Sequence, residues 1–137
     1  MPLIEQVLDK YPDNVKIVFK HFPLPFHQQS MPAALASMAA EKQGRFWEYH
    51  DALFKNQDKL SESTYMEIAK NLGLDLKQFS LDMMRPSIRN KIEEDISDGK
   101  KAGISGTPSI FVNGRFVKKR ELGTISKLID SELGKLQ

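Results

Sequence analysis

The stretch that most constrains this chain runs Gly103-Ile104-Ser105-Gly106-Thr107-Pro108-Ser109-Ile110-Phe111-Val112-Asn113-Gly114-Arg115-Phe116-Val117. Two runs rich in β-branched and aromatic residues flank Asn113-Gly114. Asn-Gly between such runs is the strongest short hairpin signal, because both central positions of the favoured turn need positive φ. The proline at the entry of the first run follows a glycine-rich approach, a place where cis peptide bonds are found. Proline carries no N–H, so the neighbouring edge stays open and the backbone of Thr107 can pair with an extended guest peptide. The plainer reading of the same residues is that Pro108 simply starts an edge strand.

The rest of the chain is mostly helical in pattern. Leu3, Ile4, Val7, Leu8 and Tyr11 share one helical face over residues 3–11, and no Ser, Thr, Asp or Asn cap precedes them. Tyr11-Pro12-Asp13-Asn14 reads as a turn and Val15–Phe19 as a short strand. Lys20 to His27 holds too many prolines for regular structure. A small-residue helix follows, from Pro32 through Ala33 to Ala40, with Gly44 as its stop. An aromatic helix carries Phe46, Trp47, Tyr49, His50, Leu53 and Phe54. Ser61 caps the next and Asp75 a short one to about Met83. After Arg85-Pro86 a longer helix stacks Ile88, Ile92 and Ile96 at four-residue spacing. A final helix carries Ile125, Leu128, Ile129, Leu133 and Leu136. The order is α-β, a run of helices, β-β, α, which fits one α/β domain.

Composition narrows the chemistry. The chain is 40% apolar and 28% charged, which is ordinary for a folded domain. Twenty Lys and Arg against eighteen Asp and Glu leave a net charge of +2, too small and scattered for a charge-driven nucleic-acid binder. No apolar run approaches the roughly 18 residues a bilayer span needs. Met1-Pro2-Leu3-Ile4-Glu5 has neither the basic start nor the apolar core of a signal peptide. Cysteine is absent, so these residues offer no disulfide, no thiolate metal site and no thiol nucleophile.

Other candidates for chemistry are weak. His21, His27 and His50 form no His-x-x-x-His pair, so no metal site is expected. His50 lies among Phe46, Trp47 and Phe54 and reads as a core-edge residue bonded to backbone. Glu93-Glu94-Asp95, with Arg89, Lys91, Lys100 and Lys101 around it, reads as a solvated face, as does the i,i+4 pair Asp51–Lys55. Phe46, Trp47 and the methionines read as core. No nucleophile elbow, phosphate loop or dinucleotide fingerprint occurs, and no cofactor is expected.

The run from Gly103 to Arg115 resembles the cis-proline loop and hairpin of the DsbA-like branch of the thioredoxin superfamily. Val18-Phe19-Lys20-His21-Phe22-Pro23-Leu24, Ala33 to Ala40, and Gly44-Arg45-Phe46-Trp47 through Phe54 are similar to that family as well. The resemblance covers residues 1 to about 133. It implies a thioredoxin-like α/β fold over 1–137, with a helical insertion at about 30–102 between the first strand and the hairpin. It also implies that Gly106, Thr107 and Pro108 bind substrate, holding a polypeptide by strand pairing.

In the family a Cys-x-x-Cys pair opens the first helix, where the helix N-terminus helps lower the attacking thiol's pKa. No residue here matches that pair. The helix from Leu3 to Tyr11 resembles the C-terminal part of the catalytic helix, so the expectation is a chain truncated before or within it, lacking the first central strand. Such a chain would be redox-inactive as given and would have no catalytic residue of its own. The open strand edges would favour a rearranged sheet or a homo-oligomer. The implied partners are extended polypeptides and, for a full-length form, a redox partner protein. The implied compartment is the bacterial periplasm or another extracytoplasmic space. Two other functions fit the same residues: a cysteine-free, chaperone-like peptide-binding module, and a glutathione-dependent transferase or isomerase relative.

Overall fold

The computed structural model describes residues 1–136. It contains α1 (Pro2–Lys10), α2 (Ser30–Glu41), α3 (Phe46–Lys55), α4 (Glu62–Asn71), α5 (Leu76–Met83), α6 (Pro86–Lys101), β1 (Phe111–Val112), β2 (Arg115–Phe116) and α7 (Leu122–Gly134). The chain divides into two compact units, one of residues 1–19 with 104–137 and the other of residues 20–103.

In the first unit, α1 and α7 pack on each other and α7 packs on β1. Val7, Tyr11, Val117, Ile125 and Ile129 form its core, the helical ones falling on the stripes their spacing sets. The Tyr11 hydroxyl donates to Asp130 Oδ1 at 2.7 Å, giving a buried phenol the partner it needs. β1 and β2 are antiparallel, with Phe111 opposite Phe116 and Val112 opposite Arg115. The Val117 N–H donates to the Ile110 carbonyl at 2.8 Å, continuing the register one pair further. Asn113 and Gly114 both have positive φ, as the tight turn demands.

The expected strand Val15–Phe19 does not form. The sheet has two strands, and no ladder includes this segment. Val15 and Ile17 are half-buried while Lys16 and Val18 are exposed, so the period-2 pattern is real. A strand is made by a ladder with its neighbour, however, and the ladder among the described residues joins β1 and β2 alone.

The second unit is built on α2, which contacts α3, α4, α5 and α6. Its small residues Ala36, Ala39 and Ala40 are fully buried, and that lets the neighbouring helices approach closely around Tyr49, Tyr65, Ile68 and Phe79. A second cluster joins Ala34, Leu35 and Met38 to Ile88 and Ile92 of α6. Ser61 caps α4 through the Thr64 N–H, and Asp75 caps α5 through the Gln78 N–H. The Tyr49 hydroxyl donates to the Tyr65 carbonyl at 2.9 Å.

Three side-chain expectations are corrected in this unit. Asp95 is not on a solvated face: it is 3% exposed, on the same stripe of α6 as Ile88 and Ile92. Trp47 and Met84 are not core; they are 42% and 76% exposed. The Asp51 carboxylate lies 3.4 Å from His50 Nδ1, and no Asp51–Lys55 ion pair is seen among the described residues.

Candidate functional site

The loop before β1 is where the family resemblance placed substrate binding, and of its three residues Pro108 lines an apolar groove, while Gly106 and Thr107 precede it in the chain. The Thr107–Pro108 peptide is cis. Ser109 Oγ donates to the Gly106 carbonyl at 2.7 Å, closing the loop on itself. Gly106 is half-buried, whereas Thr107 and Pro108 are exposed. Among the described residues, neither the backbone N–H nor the carbonyl of Thr107 has a hydrogen-bond partner. Free main-chain groups at the approach to β1 are what an extended peptide needs for pairing.

Beside this edge lies an open groove of about 270 Å³, formed within the first unit by Met1, Pro2, Leu3, Ile4, Pro108, Ile110 and Arg120. Six of these seven side chains are apolar. The first turn of α1 supplies one wall, and the approach to β1 supplies the other. The floor can therefore take an apolar side chain while Thr107 offers hydrogen bonds to the guest's backbone.

Arg120 was not singled out by sequence. It follows Lys118 and Lys119 after β2, and its Nη1 donates to the Pro108 carbonyl at 3.2 Å. The basic run Lys118-Lys119-Arg120 was the available signal, but a run of three cations does not show which one turns toward a site.

The histidines do not join this site. His21 and His50 belong to the second unit, and His27 stacks on Phe26 with ring centroids 4.5 Å apart. Burial pushes the His21 imidazole down from 6.5 to about 4, against the opposing pull of Asp95. No group of three His, Cys, Asp or Glu side chains that could hold a metal exists among the described residues. A larger cavity of about 440 Å³ lies in the second unit, where Leu35 faces the α5–α6 junction around Met83 and Arg89. Its lining holds neither histidine nor carboxylate, so it offers no proton-transfer group.

A two-stranded hairpin backed by helices, entered through a cis-proline loop and facing the start of a helix, defines a thioredoxin-like α/β protein. The chain belongs to the thioredoxin family, whose pattern it matches over residues 2–131. Among solved structures it is similar to a thioredoxin-like oxidoreductase from Silicibacter pomeroyi, with a TM-score of 0.83 and 29% identity over 98% of this chain and 77% of that one. It shares its fold with the thiol-disulfide exchange protein alpha-DsbA2 of Wolbachia pipientis, at TM-score 0.79 and 20% identity, covering 95% of this chain and 71% of that one. Among curated proteins, it is 36% identical over 115 residues to a protein named Na(+)/H(+) antiporter NhaA 3 in Salinispora tropica, covering 83% of this chain. The chain spans 18% of that relative's length. Among the described residues no helix is long and apolar enough to cross a membrane.

Proposed function

We propose that these residues form the polypeptide-holding part of a DsbA-type thiol:disulfide oxidoreductase. The observation that carries the reading is the unpaired backbone of Thr107 beside the apolar groove of Leu3, Ile4, Pro108 and Ile110. The guest is an extended, partly unfolded polypeptide, bound by strand pairing at Thr107 with an apolar side chain in the groove. Gly106 allows close approach, and Pro108 keeps its own position from competing for the guest's acceptors because it has no N–H.

Exchange itself requires a thiolate to attack one sulfur of a disulfide and expel the other. The sequence contains no cysteine, so none of these residues supplies that nucleophile. What they supply is position. On this reading residues 1–137 are one thioredoxin-like domain, residues from about 30 to 102 are its helical insertion, and the working compartment is extracytoplasmic, where protein disulfides persist. A redox partner protein, and a homo-oligomer formed by pairing through open strand edges, are part of the same proposal.

The test pairs two assays on the chain as given. Fluorescence anisotropy with a labelled, extended apolar peptide should show saturable binding, and Ile4→Lys, which places a charge on the groove wall, should weaken it about tenfold or more. A disulfide-reduction assay with a dithiol donor should show no turnover above the donor alone. Peptide binding unchanged in Ile4→Lys would remove the groove from the mechanism. Turnover by the cysteine-free chain would overturn the division between holding and exchange.

A further inference from the structure

We infer that Arg120 makes this groove selective for extended peptides carrying a carboxylate side chain close to the apolar residue in the groove. The inference rests on the peptide-binding reading above and names its substrate class.

Arg120 is the one charged side chain on an otherwise apolar lining. Its Nη1 is spent on the Pro108 carbonyl, and that bond holds the guanidinium at the loop where the guest's backbone would pair. A guanidinium carries five N–H donors and no acceptor. The remaining donors have no protein partner among the described residues, and no carboxylate of the chain forms an ion pair with Arg120. The adjacent acid, Glu121, instead accepts the Thr124 hydroxyl at 2.9 Å. Lys118 and Lys119 are exposed and do not line the groove, so the guanidinium of Arg120 is the side-chain cation placed at it. A carboxylate beside the groove would meet a positioned, planar fork that can grip it with two N–H groups. A guest with a cation there would gain no such grip, because a guanidinium has no acceptor to offer.

The test uses two amidated, N-terminally labelled peptides that differ by one residue, a glutamate or a glutamine two positions from a central leucine. Blocking the C-terminus leaves the side chain as the only added carboxylate. At low ionic strength the wild-type chain should prefer the glutamate peptide by about three- to fivefold, and salt near 0.5 M should erase most of the preference. Arg120→Gln should bring the ratio to about one, Arg120→Lys should leave an intermediate ratio, and Lys118→Gln should leave the wild-type ratio in place. A ratio that survives in Arg120→Gln, with circular dichroism showing a native fold, overturns the assignment. So does a wild-type ratio that ignores salt, a result that needs no variant to fold. An equal loss of both peptides in Arg120→Gln would make Arg120 a positioning residue for Pro108 and not a selector. Failure of either peptide to bind the wild-type chain would sink the groove reading itself.

Discussion

The carboxylate of Asp95, near the middle of α6, accepts the backbone N–H of His21 at 3.0 Å across 74 residues of sequence. Its other oxygen accepts Lys91 Nζ at 3.1 Å. Asp95 is 3% exposed, while Lys91 keeps half of its side chain in water. The two bonds are therefore unequal. The inner one satisfies a buried main-chain donor in a proline-rich segment that has no secondary structure to do so. The outer one gives a buried charge its counter-ion.

Removing Asp95 should therefore destabilise the second unit through the orphaned N–H more than through the lost ion pair. Asp95→Ala should lower stability by roughly 2–3 kcal/mol, the scale of a buried donor left unmade. Asp95→Asn keeps an acceptor for His21 and should cost about 1 kcal/mol. Lys91→Met, which removes only the half-exposed partner, should cost less than about 1 kcal/mol. Urea unfolding midpoints measure all three. If Lys91→Met proves as damaging as Asp95→Ala, the ion pair holds this segment and the backbone anchor does not.

The same corner of the unit should make stability depend on pH. Burial pushes the His21 imidazole from 6.5 down to about 4, Asp95 pulls it back up, and His50 and Lys91 push it down further. The unfolded chain takes up a proton near pH 6.5 that the folded chain refuses until about pH 4. Stability is thus fully present above pH 6.5 and falls as pH drops through that window. Between pH 7 and pH 4.5 the loss should be on the order of 2 kcal/mol. Denaturant unfolding at the two values measures it, and His21→Gln should flatten the difference. An equally steep fall in His21→Gln would move the titration elsewhere, first to His50, whose pKa burial also lowers.

What could be read from sequence was local. Ser61 and Asp75 announce the starts of α4 and α5 because a cap needs only a hydroxyl or carboxylate within three residues of a free N–H. Asn113-Gly114 announces the hairpin because turn chemistry sits in two adjacent residues. Val15–Phe19 carries the right alternation, yet a ladder depends on a partner that no local pattern can supply. Asp95 was hidden by its neighbours Glu93 and Glu94, although its place seven residues after Ile88 and three after Ile92 puts it on the buried stripe. Trp47 misled in the opposite direction: aromatic identity suggested core, while its helical position places it about a third of a turn or more from Tyr49 and Leu53. At the candidate site, Gly106, Thr107 and Pro108 were visible as a loop signal. Arg120 was not, since its bond to the Pro108 carbonyl depends on where the chain turns after β2.

The hairpin that separates Pro108 from Arg120 in sequence should be held in register by its turn, and Gly114 is the residue to test. Its φ is 81°, and Asn113 stands at 46°, the paired left-handed values of a tight two-residue turn. A Cβ on Gly114 would meet nothing within 4 Å, so a side chain there would be strained by backbone conformation and not by collision. Gly114→Ala should cost about 1–2 kcal/mol, the penalty of an L-residue in the left-handed region. Asn113→Gly should be near neutral, since glycine adopts positive φ freely. Amide exchange at Val117 gives the local reading, because its N–H is bonded to the Ile110 carbonyl just beyond the two-residue strands. Exchange at Val117 should quicken about tenfold or more in Gly114→Ala and stay close to wild type in Asn113→Gly. Unchanged protection in Gly114→Ala would mean that the register is set by the Phe111–Phe116 contact, whose ring centroids lie 5.5 Å apart, and that the turn merely follows it.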